Sequence, residues 1–320
     1  MTQFIRAPAF TRTLNPSRGR WSREMLNLLL RLSVKARHGL HIDIPSLRKQ
    51  FALLDRQAPD SLPPEVRSEP VTCNGVAARW LLPKGRRRER VLLYLHGGAF
   101  VANTPAVYAA MVASWCQSLK ARALLVDYRL APEHPHPAAL EDCLDAYSWL
   151  LDQGVKAKDI VIAGDSAGGN LVIATLQRLK AECQPLPSCA VLLSPFLDFT
   201  LSGASALDNA RHDPIFTPAF AIGIRGFYAP GERHGEPSVS PLFGAFEGLP
   251  PMLFQVGSTE MLLDDAVRAA AKAHAAGVPV RLEVWHRLPH VFQMIAALPQ
   301  AQLAARSIQG FINDHTDWDH

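Results

Sequence analysis

The sequence predicts an α/β protein, with a mostly parallel central sheet of about eight strands, flanked by helices and carrying extra helical pieces above one edge. Three observations predict it. Short apolar β runs alternate with helical patterns between residues 91 and 193, and the alternation resumes at Met252 after a break. The pentapeptide Gly164-Asp-Ser-Ala-Gly168 falls at the joint between one such strand and the helix after it.

The composition of the 320 residues, 48% hydrophobic and 19% charged, suits a globular chain with a large core and excludes disordered and fibrous classes. A formal charge of +4 is small for this length and gives no reason to expect a nucleic-acid partner. The charge is uneven, since residues 1–40 hold Arg6, Arg12, Arg18, Arg20, Arg23, Arg31, Lys35 and Arg37 against Glu24 alone. This run is read as a solvated helix face, with an anionic membrane surface or a presequence as alternatives. Met25–Val34 is interrupted by Asn27 and Arg31 and is too short to span a bilayer, so no membrane insertion is expected. Five cysteines, an odd count without a C-x-x-C pair, point to neither a disulfide framework nor a zinc site and fit a reducing cytoplasm. The oligomeric state is left open, a homodimer included.

Along the chain, residues 1–62 place Met25, Leu28, Leu29 and Leu32, then Leu47, Phe51 and Leu54, at helical spacing with no strand pattern. They read as two helices that cover something. A hairpin follows, Val71–Cys73 and Val76–Leu82 about Asn74-Gly75, the dipeptide a type I′ turn favours. Strands are expected at Val91–Leu95, Ala123–Val126, Ile160–Ala163, Ala190–Leu193, Met252–Val256 and Val280–Trp285. Helices are expected over 107–119, 137–152, 167–181, 264–276 and 293–311. Residues 198–232 lack a strand and read as an insertion above the sheet.

A G-x-S-x-G arises by chance in about one chain in ten of this length, so the pattern alone decides little. Its place between strand and helix decides more. A serine projecting from such a turn is exposed to substrate, flanking glycines remove colliding Cβ atoms, and the helix N-terminus favours developing negative charge. Ser166 is therefore the candidate nucleophile. His96-Gly97-Gly98-Ala99-Phe100 directly follows a strand, and the N–H groups of Gly97, Gly98 and Ala167 are the expected oxyanion donors. His96 is assigned to loop orientation rather than proton transfer.

Of twelve histidines, His290 stands in the loop between the last strand and last helix, where it can reach over the sheet's C-terminal edge; His286 is its rival. The orienting acid belongs in the preceding loop, 257–265, where Glu260, Asp264 and Asp265 are available. Glu260 is chosen, being nearest the strand, with Asp264 the alternative. Serine, acid, histidine is the chain order of α/β-hydrolase triads.

These residues resemble the bacterial hormone-sensitive-lipase-type (family IV) esterases over about residues 70–312. His96–Phe100 is similar to that family's HGGG loop with alanine at the third glycine, and Gly164–Asn170 reads GDSAGGN. Asp127–Glu133, Ser238–Phe243 and Leu249–Gly257 are similar to further signatures, with Asp127, Arg129 and Glu133 read as scaffold. The usual acid loop carries Asp followed by Pro-Leu; here Glu260 and Met261 stand at the Asp and Pro positions. The resemblance implies an α/β-hydrolase fold with a helical cap, and short-chain acyl esters as small-molecule substrates, hydrolysed without a metal or organic cofactor. The expected division is residues 1–62 and 198–232 for the cap, and 63–197 with 233–313 for the catalytic domain. Phe216, Phe220, Phe227 and Tyr228 suggest an apolar acyl pocket. Competing readings are a lactone or acetyl hydrolase, a membrane-interface lipase, and a ligand receptor like those of the plant gibberellin type, which lack the histidine that this chain keeps.

Overall fold

In a computed structural model, residues 9–16, 19–35, 42–57, 62–87 and 89–318 are described. Nine strands form one sheet: β1 (Thr11–Leu14), β2 (Val66–Cys73), β3 (Val76–Pro83), β4 (Val91–Leu95), β5 (Arg122–Val126), β6 (Ile160–Asp165), β7 (Cys189–Leu193), β8 (Met252–Gly257) and β9 (Val280–Trp285). Their spatial order is β1-β9-β8-β7-β6-β4-β5-β3-β2. All neighbours are parallel except the β2–β3 hairpin and the β3–β5 pair. Asn74 and Gly75 join the hairpin with φ of 49° and 92°, the two positive values a type I′ turn requires.

The central strands are buried on both sides, which is why they read as unbroken apolar runs. Helices α4 (Ala138–Asp152), α5 (Ala167–Ala181) and α8 (Leu263–Ala275) cover one face. The other face carries α3 (Pro105–Leu119) and α9 (Pro299–Asp314).

Three expectations are corrected. Residues 1–62 do contain two helices, α1 (Arg20–Ser33) and α2 (Ile44–Asp55), but also β1, which makes a ninth strand beside β9. Four residues with an Arg-Thr pair carry too little apolar pattern to announce a strand. The last helix starts at Pro299 rather than 293, because proline suits the first helical turn and lacks the N–H an interior position needs. Lastly, Met25, Leu28, Leu29 and Leu32 do not cover the sheet; all four are exposed. Arg6, Arg18 and Arg37 of the basic run lie outside the described residues, as does the side chain of Arg20.

The insertion holds α6 (Ser205–Asp208) and α7 (Pro218–Tyr228), without a strand. It meets the N-terminal segment directly, since a Cβ on Gly223 of α7 would lie 2.6 Å from Ile42 Cδ1. Arg48 of α2 ties that segment to the loops below, donating to the carbonyls of Val101 (2.7 Å) and Ala131 (3.0 Å) and to Glu133 (2.6 Å).

Candidate active site

Between the end of β6 and the start of α5 only one residue turns the chain. That residue is Ser166, with φ 52° and ψ −117°. Such a backbone conformation costs roughly 1–3 kcal/mol and persists because its surroundings fix it. The Ser166 N–H donates to the Leu193 carbonyl (2.9 Å), and its own carbonyl accepts from Phe196 N–H (3.0 Å). A Cβ on Gly168 would lie 2.0 Å from the Leu95 carbonyl oxygen, so the motif's last glycine lets the helix press against β4.

β4 runs into His96–Phe100. His96 is buried, stacked on Tyr128 with ring centres 4.1 Å apart, and its Nδ1 meets the Gly97 carbonyl at 2.6 Å. Burial pushes its pKa down to about 4, so it is a neutral internal group. Gly97 departs from expectation: its N–H donates to Asp165 Oδ1 at 3.0 Å and is already engaged. The cause is a fully buried carboxylate one residue before Ser166, which must find donors and takes Tyr94, Tyr108 and Gly97. Even so, burial raises Asp165 to about 6. Beyond Gly97 the chain enters the left-handed region at Gly98 (φ 106°), Ala99 (56°) and Phe100 (62°). Ala99 lines one small cavity with Ser166.

Glu260 stands just past β8, fully buried, and its Oε2 lies 2.7 Å from His290 Nδ1. Its Oε1 accepts from Gly257 N–H (2.5 Å) and the Ser194 hydroxyl (2.8 Å). Asp264 instead accepts from Ser205 N–H at the start of α6 at 2.9 Å, and Asp265 accepts from the N–H groups of Leu197 and Asp198. The histidine loop crosses so near that a Cβ on Gly257 would sit 2.0 Å from the Leu288 carbonyl oxygen. His286 stays at the end of β9, its N–H donating to Leu14 and its carbonyl accepting from Arg23.

Phe216 joins the two halves. It shares the Ser166 cavity, and its ring stands edge-on to His290 with centres 4.6 Å apart. The cavity, about 30 Å³, is completed by Phe196, Phe220, Ile224, Met261 and Leu262 among others. Tyr228 does not line it; it is buried against Phe100 with ring centres 3.7 Å apart. Phe227 also packs into the core rather than the cavity.

Sequence reasoning missed three residues. Ser194, at the end of β7, links Glu260 to the histidine loop by accepting from Val291 N–H at 3.3 Å. Asp213 in the insertion accepts from Met261 N–H (2.8 Å), and Asn209 donates to the Glu260 carbonyl (2.9 Å), tying the insertion to the loop after β8. All three act across 48 to 97 residues of sequence, and no local pattern signals such partners.

The chain matches the family described as alpha/beta hydrolase fold over residues 92–294. An esterase from Acinetobacter venetianus is 36% identical over 91% of this chain and 96% of its own length. A solved esterase from the bacterial hormone-sensitive lipase family superposes with a TM-score of 0.86, 36% identical over 92% of this chain and 97% of that one. The chain belongs to the bacterial hormone-sensitive-lipase family of esterases. Esterase LipU of Mycobacterium tuberculosis is a further relative, 39% identical over 75% of this chain and 83% of its own. Among the described residues, no group of three or more His, Cys, Asp or Glu could hold a metal ion, and no helix is long and apolar enough to cross a membrane.

Proposed function

We propose that this esterase hydrolyses short-chain acyl esters through Ser166, His290 and Glu260. The observation carrying the reading is the 2.7 Å contact between Glu260 and His290 Nδ1, which reserves Nε2 for proton transfer; Phe216, edge-on to His290, lines the cavity that Ser166 borders and supports their pairing. Ser166 Oγ attacks the ester carbonyl carbon while His290 Nε2 takes its proton. Glu260 holds Nδ1–H and stabilises the imidazolium. The N–H groups of Gly98, Ala99 and Ala167 receive the oxyanion, with Gly97 withdrawn to Asp165 as the brace of that loop. The imidazolium then gives its proton to the departing alcohol, and water, deprotonated by His290, releases the acid and restores the serine.

A cavity of about 30 Å³ walled by Phe216, Phe220 and Ile224 supports a short acyl group. The insertion 198–232 and the N-terminal helices serve as its cap, with β1 reassigned to the sheet. Five unbridged cysteines support a cytoplasmic setting. The test is hydrolysis of p-nitrophenyl esters from acetate to dodecanoate, with a fluorophosphonate probe on the intact chain. We expect a maximum at short chains and labelling of wild type but not Ser166→Ala. Labelling retained in Ser166→Ala would remove the serine from its role.

A further inference from the structure

Helix α1 is built inside out. Its polar residues Arg23 and Asn27, one turn apart, are 2% and 7% exposed and face the protein. They donate to the main-chain carbonyls of His286 (3.0 Å) and Arg287 (2.9 Å) in the loop that carries His290. On the opposite side Met25, Leu28, Leu29 and Leu32 form one strip at i, i+3, i+4 and i+7, between 53% and 67% exposed. A surface helix of a globular protein ordinarily turns such a strip to the core. Here the core side holds two buried polar residues beside Leu26, which packs on the core, while a second apolar strip faces solvent. The insertion beside it exposes Leu207 at 72%, and is joined to α1 by Arg31, which donates to the His212 carbonyl.

Charge selects the occupant. Residues 1–40 carry eight Lys and Arg against Glu24; Arg23 is buried and, with Arg287, bridges Glu24 (3.3 and 3.2 Å), which leaves seven basic side chains against none. Arg31 and Lys35, near the end of the strip, hydrogen-bond to main-chain carbonyls rather than carboxylates. A second copy docking face to face would bring two basic segments together. An anionic lipid surface offers both an apolar layer for the leucines and phosphates for the cations.

We propose that α1 is an adsorption surface for anionic membranes. The helix lies flat, its apolar strip entering the headgroup boundary, with Arg31 and Lys35 at its end beside the lipid phosphates; at 14 residues it is far too short to span. Because the same helix grips the histidine loop, adsorption sets the site beside the bilayer. That consequence rests on the esterase reading, whereas the adsorption does not.

The test is co-sedimentation of the full chain with phosphatidylcholine vesicles with and without phosphatidylglycerol, at low and high salt. It compares wild type, Ser166→Ala and the triple variant Leu28→Gln/Leu29→Gln/Leu32→Gln. Wild type and Ser166→Ala are expected to bind the anionic vesicles roughly tenfold or more tightly than the neutral ones, with salt weakening the binding. The triple variant is expected to lose on the order of hundredfold in vesicle affinity while hydrolysing soluble p-nitrophenyl butyrate as wild type does. Wild type that ignores the vesicles, or a triple variant that binds as well as wild type, overturns the proposal. So does a wild-type dimer in light scattering that the triple variant dissolves, since a second copy would then own the strip. Failure of the esterase reading alone would leave vesicle binding intact and ester hydrolysis absent.

Discussion

Replacing Glu260 by glutamine changes one atom, and the surroundings dictate which way the amide must sit. Gly257 N–H and the Ser194 hydroxyl both donate to Oε1, at 2.5 and 2.8 Å, so that position demands an acceptor and takes the amide oxygen. The NH2 group is left facing His290 Nδ1, now a donor where the carboxylate oxygen stood at 2.7 Å. Nδ1 must then accept, which places the ring's proton on Nε2, and an Nε2 that already holds a proton cannot relieve Ser166 of its own. Loss of the correct tautomer at this position typically costs about 10⁴ in kcat, or about 5 kcal/mol of barrier. Glu260→Asp keeps the tautomer but retracts the carboxylate by about one C–C bond, near 1.5 Å, opening the contact beyond hydrogen-bonding distance, and should cost about 10–100-fold. Asp264→Asn, whose partner is Ser205 N–H, should stay within about twofold. The assay is kcat/KM on p-nitrophenyl butyrate with circular dichroism to confirm folding. Glu260→Gln within tenfold of wild type, or Asp264→Asn below it, would refute the reasoning.

Gly98→Ala would set a Cβ 2.0 Å from the Ala102 carbonyl oxygen and force the oxyanion loop to shift; kcat should fall by about 10²–10³ with KM little changed, and a loss under threefold in steady-state kinetics would clear Gly98 of the role. Phe216→Ala opens the cavity wall, and each CH₂ it admits gains up to about 0.8 kcal/mol; the octanoate-to-butyrate ratio of kcat/KM should rise by about tenfold or more, and an unchanged ratio would place the acyl group elsewhere. Burial raises the Asp165 pKa from 3.8 to about 6, so the folded state holds this proton more tightly than the unfolded chain. Its contribution is therefore unfavourable as pH climbs through that window, and stays so above it. Asp165→Asn lacks that loss, and its stability relative to wild type in urea titrations should improve by about 2 kcal/mol between pH 4.5 and 7.5; no relative change would mean that its three donors fully compensate the charge.

What could be read from the sequence was whatever rests on short-range pattern. The GDSAG turn, the Asn74-Gly75 hairpin and the eight longer strands each carry their signal within a few residues. Glu260 was separable from Asp264 because the first follows a strand and the second begins a helix, where an acid already has a use. The errors lie where partners are distant. Gly97 and Asp165 are 68 residues apart, so nothing near Gly97 reveals that its N–H is committed. β1 is too short to have a period, and exists because β9 offers it an edge. For α1 the periodicity was correct, and spacing says nothing of which side of a helix meets the protein.

The pairing of β1 with β9 also has a consequence in time. Thr11 lies opposite Leu282, 271 residues further along the chain. A ribosome adding about 5–20 residues per second needs roughly 15–55 s to cover that distance. During this interval the β1 segment has been made and its edge has not, while α1 waits for carbonyls at His286 and Arg287 that do not yet exist. This edge strand thus leaves the ribosome well before the strand it pairs with exists, and needs protection during that part of synthesis.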